Sequence, residues 1–505
     1  MRQKKVIVID DNSNMLYGAP GNMTRRLYER YLECLAETRA DIVAVDLASP
    51  DLCYYKSKVD DWWGKHTTGD DASARGWTCP NIFWNVFHNF KSLIAAGEDP
   101  GEIMVTTLHR QGRTVAANFR TNDLYGHPAL RTRWENQHPE WVIPDKLHFD
   151  YAIPQVREHR LAIAQEIVND YDVDALQLDF VRGLPVLSSP DHADLLTDFV
   201  RGVRDHVEKV SLHKGKKILL GVILPWEMAV LERNGIDYKT WIKEGFFDYV
   251  VPAERSYAEW NIRVAPWVEL VRGTNCEVYP VVFGVVGDKT ILSDENYSPK
   301  RANLTMPQIR ACAVNFYNQG ADGIAFYNFY QGDHRDKFPM LGDLRDPEAL
   351  TRHARHYFYC KIGEYANHDW FRIRLAAQAD PDERKTFRFY IGEKLTKDTA
   401  VLAFKAVGMC LEDGLIVDIN GAEIPPEAWT LPDPLESIST PTGVETRASG
   451  LLTKLLHWRT PIGSPPLHVG ENEIGIRRTR TSAMNQEITI AEIEILGGEL
   501  SLSEK

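Results

Sequence analysis

Tyr171-Asp-Val-Asp-Ala-Leu-Gln-Leu-Asp-Phe-Val-Arg182 is a short apolar run broken at alternate positions by Gln177 and Asp179. Residues two apart on an extended strand share a face, so the two polar side chains point the same way. Asp179 stands where the apolar run gives out. A carboxylate left there buried and unpaired would cost several kcal/mol, so a carboxylate closing an apolar strand is either paired for structure, here with Arg182 or a helix N-terminus, or kept for chemistry.

Seven further short apolar runs flank this one. Together the predicted strands are Val6–Ile9, Asp41–Leu47, Thr114–Phe119, Ala175–Phe180, Ile218–Ile223, Tyr249–Val251, Val278–Phe283 and Gly323–Tyr327. Amphipathic stretches separate them. After Pro154, which suits a first helical turn, Val156, Ile163 and Ile167 fall on one helical face. Eight βα units in order predict a (β/α)8 TIM barrel over residues 1–366, with a doubly wound sheet as the competing α/β arrangement. From about Asn367 the helical period disappears. Alternating runs at Thr386–Tyr390, Ala400–Ala406, Leu415–Ile419, Glu473–Ile476 and Ile488–Ile495, set between Gly, Pro and Asn turns, predict an all-β, jelly-roll-like sandwich over 367–505.

Composition narrows the function classes. The 505 residues are 44% hydrophobic and 26% charged, which argues for large buried cores and against disorder, collagen or coiled coil. The 58 Lys and Arg against 71 Asp and Glu leave a net charge of -13, which repels phosphate backbones and anionic membranes, so neither nucleic acid nor membrane is expected as a partner. The seven cysteines are scattered without metal-binding spacing and are expected to be reduced. The N-terminal run carries too few apolar residues for a signal peptide, and the chain as given reads as cytoplasmic.

In a parallel barrel the polar residues that close the strands gather at one mouth. Besides Asp179, strand three ends Asn118-Phe-Arg-Thr-Asn-Asp123, bringing Arg120, Asn122 and Asp123 to the rim. Strand five is followed by Leu224-Pro-Trp-Glu227, and strand six runs into Ala253-Glu-Arg-Ser-Tyr257, adding Trp226, Glu227, Glu254, Arg255 and Tyr257. Strand eight contributes Tyr327 and Asn328, and strand one ends at Asp10, Asp11 and Asn12. Two long connections, Ala48 to about Pro80 and Thr121 to Ile153, carry aromatic residues and read as cleft walls. Aromatic rings with carboxylates and amides suit a carbohydrate, whose rings offer apolar faces and hydroxyl edges.

The ordered set FRTND, HPEW (His138–Trp141), YDVDALQLDFVR, FDYVVPAERSY and GADGIAFYNF (Gly320–Phe329) resembles the family 10-like glycosyl hydrolases, bacterial TIM-barrel proteins. The resemblance runs from Ile7 to Phe329. It departs at Ala175, where the family usually has glycine, and at Ala253-Glu254, where it usually has glutamine and an aromatic or polar residue. It implies a glycoside hydrolase without a cofactor or bound metal, acting on an oligo- or polysaccharide.

On that reading Asp179 and one glutamate flank the glycosidic bond. Glu254 is preferred to Glu227 because strand six is expected across the mouth from strand four. Arg120, Asn122, Asp123, Arg182, Trp226, Arg255, Tyr257, Tyr327, Asn328 and Asp10 are the expected substrate contacts. Two other classes compete. One is a metal-dependent sugar-processing enzyme with His88, His109, Asp179 and Glu254 as ligands. The other is a catalytically silent carbohydrate-binding protein.

Overall fold

The computed structural model describes residues 4–13, 16, 22–49, 52–65, 80–122, 133–255, 257–287, 301–329, 335–358, 373–380, 382–410, 412–429, 455–483 and 485–498. The chain divides into two compact units. One comprises Met1–Arg255, Val264–Val281 and Ala321–Arg345, and the other Ser256–Arg263, Val282–Gly320 and Asp346–Lys505. The boundary expected between 366 and 367 lies outside the described residues.

The apolar runs become strands where the pattern places them: β1 (Lys5–Asp10), β2 (Ile42–Ala48), β3 (Thr114–Arg120), β4 (Ala175–Asp179), β5 (Leu219–Pro225) and β6 (Tyr249–Ala253). The expected seventh strand is in two pieces, β7 (Glu277–Val278) and β8 (Val281–Phe283), with Tyr279-Pro280 between them. Proline has no N–H to give to a ladder, and the strand breaks there. After an antiparallel pair, β9 (Val285–Gly287) and β10 (Arg301–Asn303), the last expected strand is β11 (Gly323–Tyr327).

The sheet order is β7-β6-β5-β4-β3-β2-β1-β11-β8, and every registered pair from β7 through β11 is parallel. The expected closed ring of eight strands is therefore corrected to a TIM-like curled sheet of nine, open in its ladder, because strand seven is split. All residues of β2, β4 and β6 are buried, as a parallel sheet covered on both faces requires. The helix Pro154–Asp170 buries Val156, Ile163 and Ile167, as their spacing predicts. Asp99 caps Pro100–Arg110 through the Gly101 and Glu102 amides, and Gly215, at φ 60, ends Ala193–Lys214.

The described part of the connection after β2 is pinned to the helix Pro154–Asp170. Glu166 accepts from the Tyr55 hydroxyl at 2.8 Å, the Ser57 hydroxyl at 2.5 Å and the Lys58 amide at 2.7 Å. In the connection after β3, Trp134, His138 and Trp141 stack on one another, with the His138 and Trp141 centroids 4.0 Å apart.

Besides the β9–β10 pair, the described residues of the second unit form two antiparallel sheets. One runs β12 (Arg355–Phe358), β20 (Ile488–Gly497), β15 (Ala400–Val407), β18 (Leu455–Pro461), with β13 (Ile373–Leu375) also on β20. The other runs β14 (Lys385–Ile391), β19 (Gly470–Arg480), β16 (Gly414–Ile419), β17 (Ala422–Glu423). Each of the five C-terminal runs read from the sequence lies within one of these strands. Arg384 crosses Gly475 on β19, where a Cβ would stand 2.1 Å from its Nε, and binds Asp418 and Glu473.

Candidate active site

The C-terminal ends of β1 to β4 and β11 converge on a buried polar cluster. Asp179 closes β4 with no solvent exposure. Its Oδ2 accepts from the Tyr327 hydroxyl at 2.6 Å, and its Oδ1 accepts from the Val181 amide at 2.9 Å. Burial pushes its carboxyl above the ordinary carboxylate range, against the opposing pull of Arg120, Tyr327 and Arg182. Burial also raises the Tyr327 hydroxyl well above its usual value, so that it stays a proton donor.

Arg120 closes β3 in register with Asp179 and is as deeply buried. Its Nε lies 2.8 Å from Asp46 Oδ2, and its Nη2 lies 3.4 Å from Asp11 Oδ2. Asn328 and Asp11 hold each other reciprocally: Asn328 Nδ2 donates to Asp11 Oδ2 at 2.9 Å, and the Asp11 amide donates to Asn328 Oδ1 at 3.2 Å. Three buried carboxylates thus surround one guanidinium. Burial lifts Asp46 in particular, and Arg120 opposes that lift.

The remaining expected residues fall elsewhere. Asp10 and Asp11 are neighbours, so they face opposite ways: Asp10 Oδ1 accepts from the Tyr31 hydroxyl on the following helix at 2.5 Å and from the Asn12 amide, while Asp11 faces Arg120. Asn122 spends both ends of its amide on the Phe149 backbone, at 2.9 and 3.0 Å, and so anchors the loop after β3. Asp123 lies outside the described residues. Arg182, Trp226, Glu227 and Arg255 are half-buried, and Tyr257 belongs to the second unit.

Glu254 follows β6 and is buried; Trp226 Nε1 donates to its Oε2 at 3.0 Å and the Arg255 amide to its Oε1 at 3.2 Å. Glu227 sits at the N-cap of the short helix Met228–Arg233. The expectation that strand six lies across the mouth from strand four is corrected: β5 alone separates β6 from β4.

The four residues of the metal-binding reading do not assemble. His109 pairs with Asp174 at 2.8 Å, at the opposite end of β4 from Asp179, and His88 lies in the helix Pro80–Ala95. Among the described residues no three His, Cys, Asp or Glu side chains form a metal-holding group. No helix among them is long and apolar enough to cross a membrane.

Asp46 is the site residue that the sequence reading passed over, while Asp11 was named at the end of strand one but Asp10 was preferred as the contact. The signal for Asp46 was a lone carboxylate inside Ile42-Val-Ala-Val-Asp-Leu-Ala48, an otherwise apolar strand.

Fold and site together define a parallel α/β sheet with a buried arginine–carboxylate cluster at the C-terminal ends of its strands. No family model matches the chain, and no curated protein matches it. The family 10-like resemblance therefore gains no support from these comparisons. Among solved structures the chain is similar to α-L-fucosidase isoenzyme 2 from Paenibacillus thiaminolyticus, at TM-score 0.41 and 12% identity over 70% of this chain and 51% of that one. It is also similar to a GH36 α-galactosidase from Geobacillus stearothermophilus, at TM-score 0.37 and 9% identity over 99% and 56%. A cell-surface chitinase from Paenibacillus sp. matches at TM-score 0.42 and 10% identity over 95% and 52%. The chain spans about half the length of these proteins. Likeness at this level says nothing about chemistry.

Proposed function

We propose that the chain is a glycoside hydrolase that cleaves a glycosidic bond in an oligo- or polysaccharide by paired-carboxylate catalysis. The observation that carries the reading is Asp179: a fully buried carboxylate at the end of a parallel strand, in register with Arg120 and bonded by the Tyr327 hydroxyl. Such a group is held in one orientation and surrounded by donors that stabilise its charge, which is what a nucleophile or base needs.

Asp179 attacks the anomeric carbon or activates a water molecule, and Glu254 protonates the departing oxygen, with Glu227 the rival donor. Arg182, Trp226, Arg255 and Asn328 orient the sugar, joined by Asp123. The antiparallel region from 367 to 505 is an accessory domain to a barrel-type catalytic domain. The test is a screen of glycans and aryl glycosides on the parent and on Asp179→Asn. Turnover by the parent that falls by more than about a hundredfold in a folded Asp179→Asn supports the reading. A variant that keeps more than about a tenth of the rate removes Asp179 from the mechanism, and binding without turnover by the parent points to the silent carbohydrate-binding class.

A further inference from the structure

Directly beneath Arg120 and Asp179 lies a second polar row. Asp46 on β2 is in register with Asn118 on β3, Asn118 with Gln177 on β4, Gln177 with Gly221 on β5, and Gly221 with Tyr249 on β6. One transverse line through five strands thus carries four polar side chains and a glycine, and all four side chains are buried.

They form one directed chain. The Tyr249 hydroxyl donates to Gln177 Oε1 at 3.1 Å, Gln177 Nε2 donates to Asn118 Oδ1 at 2.7 Å, and Asn118 Nδ2 donates to Asp46 Oδ1. Asp46 Oδ2 meets Arg120 Nε. The direction follows from the Asp46 end: as the carboxylate ion-paired with Arg120 through Oδ2, it can only accept from Asn118 at Oδ1. Asn118 must then donate to Asp46 and accept from Gln177, Gln177 must accept from beyond, and Tyr249 must donate.

Gly221 makes the last link possible. β4 and β6 are two strand spacings apart, about 9.6 Å, so Tyr249 has to reach over β5 to touch Gln177. A Cβ at Gly221 would stand 2.1 Å from Tyr249 Cζ and 2.5 Å from its hydroxyl oxygen. Only a residue without a side chain leaves that path open.

We propose that this row is a positioning device for Arg120: Tyr249, at its far end, fixes the amide orientations of Gln177 and Asn118 and thereby holds Asp46, and through it Arg120, in the attitude that faces Asp179. It rests on the proposed role of Asp179, the carboxylate that Arg120 lies beside in register. Without the Tyr249 hydroxyl, Gln177 is free to turn its amide over. Asn118 then turns with it and presents an oxygen to Asp46, so Asp46 loses a donor and shifts against Arg120. Tyr249 and Gln177 are buried and bonded within the row rather than to Asp179, so a loss of function on changing them separates positioning from substrate contact.

The experiment uses the full chain labelled with 15N-arginine, in the parent, Tyr249→Phe and Gln177→Leu. The Arg120 Nε–H signal is assigned by its loss in Arg120→Lys. Expected is a displaced Arg120 signal with faster solvent exchange in both folded row variants. On any accepted aryl glycoside, kcat should fall about fivefold or more in Tyr249→Phe while KM stays within about twofold. An Arg120 signal unmoved in both folded variants overturns the proposal, as does a moved signal with kcat unchanged. If Asp179→Asn keeps its activity, the proposed hydrolase mechanism fails, and the arginine signal still decides whether the row holds Arg120.

Discussion

The Tyr327 hydroxyl reaches Asp179 Oδ2 at 2.6 Å although β11 and β4 are not neighbours: β1, β2 and β3 stand between them in the sheet. Laid flat, four strand spacings would separate the two strands by about 19 Å. The contact exists because the sheet curls, and the curl turns residues from distant parts of the chain into one site.

Tyr327→Phe removes that donor and leaves the ring in place. Burial already lifts the Asp179 carboxyl and Tyr327 opposes the lift, so the variant raises it further. A reaction that needs ionised Asp179 is then lost at a higher pH, so the acidic limb of the kcat/KM profile moves up, with kcat down about tenfold. The stability change has its own sign. The donor matters most while Asp179 is charged, so the difference in thermal midpoint between parent and variant should be largest at neutral pH and shrink as pH falls through the raised Asp179 value. Profiles that superimpose would dismiss the role.

Glu254→Gln and Glu227→Gln distinguish the proton donors. Aryl glycosides with very good leaving groups need little protonation, so loss of the true acid slows poor leaving groups far more. The leaving-group-dependent defect is expected in Glu254→Gln, whose amide oxygen still accepts from Trp226. If it appears in Glu227→Gln alone, strand five supplies the acid.

Gly183→Ala tests the loop anchor. Gly183 has φ 78, and a Cβ there would stand 2.3 Å from the Asn122 backbone oxygen, on the residue that clamps Phe149. The left-handed backbone and the collision together should cost at least about 2 kcal/mol. Chemical denaturation reads this as a lower midpoint. An unchanged midpoint would mean that the turn relaxes without loss.

Arg384→Met tests the second unit. Asp418 is held below the ordinary carboxylate range by Arg384, and Glu473 by Arg384 and Arg388. Both carboxylates bind protons less readily folded than unfolded, so their contribution is present above the unfolded values and is lost as pH falls through the folded ones, from about pH 4 downward. The variant should melt earlier than the parent at pH 7, and the gap should close in acid. A gap that persists at low pH would assign Arg384 to packing.

What the sequence determined by itself was local. Apolar runs of strand length, proline at helix starts and a carboxylate where an apolar run ends are read from neighbouring residues, because strand burial and helix entry depend on the residues immediately around them. That is why the strands fall where the pattern places them and why Asp179 and Arg120 stood out. Tertiary structure decided the rest. Tyr279-Pro280 divides a run that reads as one strand, since a missing N–H matters only when a neighbouring strand asks for it. Asp10 and Asp11 read alike in sequence, and only the side of the strand on which each falls sends one to Tyr31 and the other to Arg120. Asp46, Asn118, Gln177 and Tyr249 are isolated polar residues in four separate runs. They become one hydrogen-bonded row only because register aligns them and Gly221 leaves the gap, and register is set by the packing of the whole sheet rather than by any single strand.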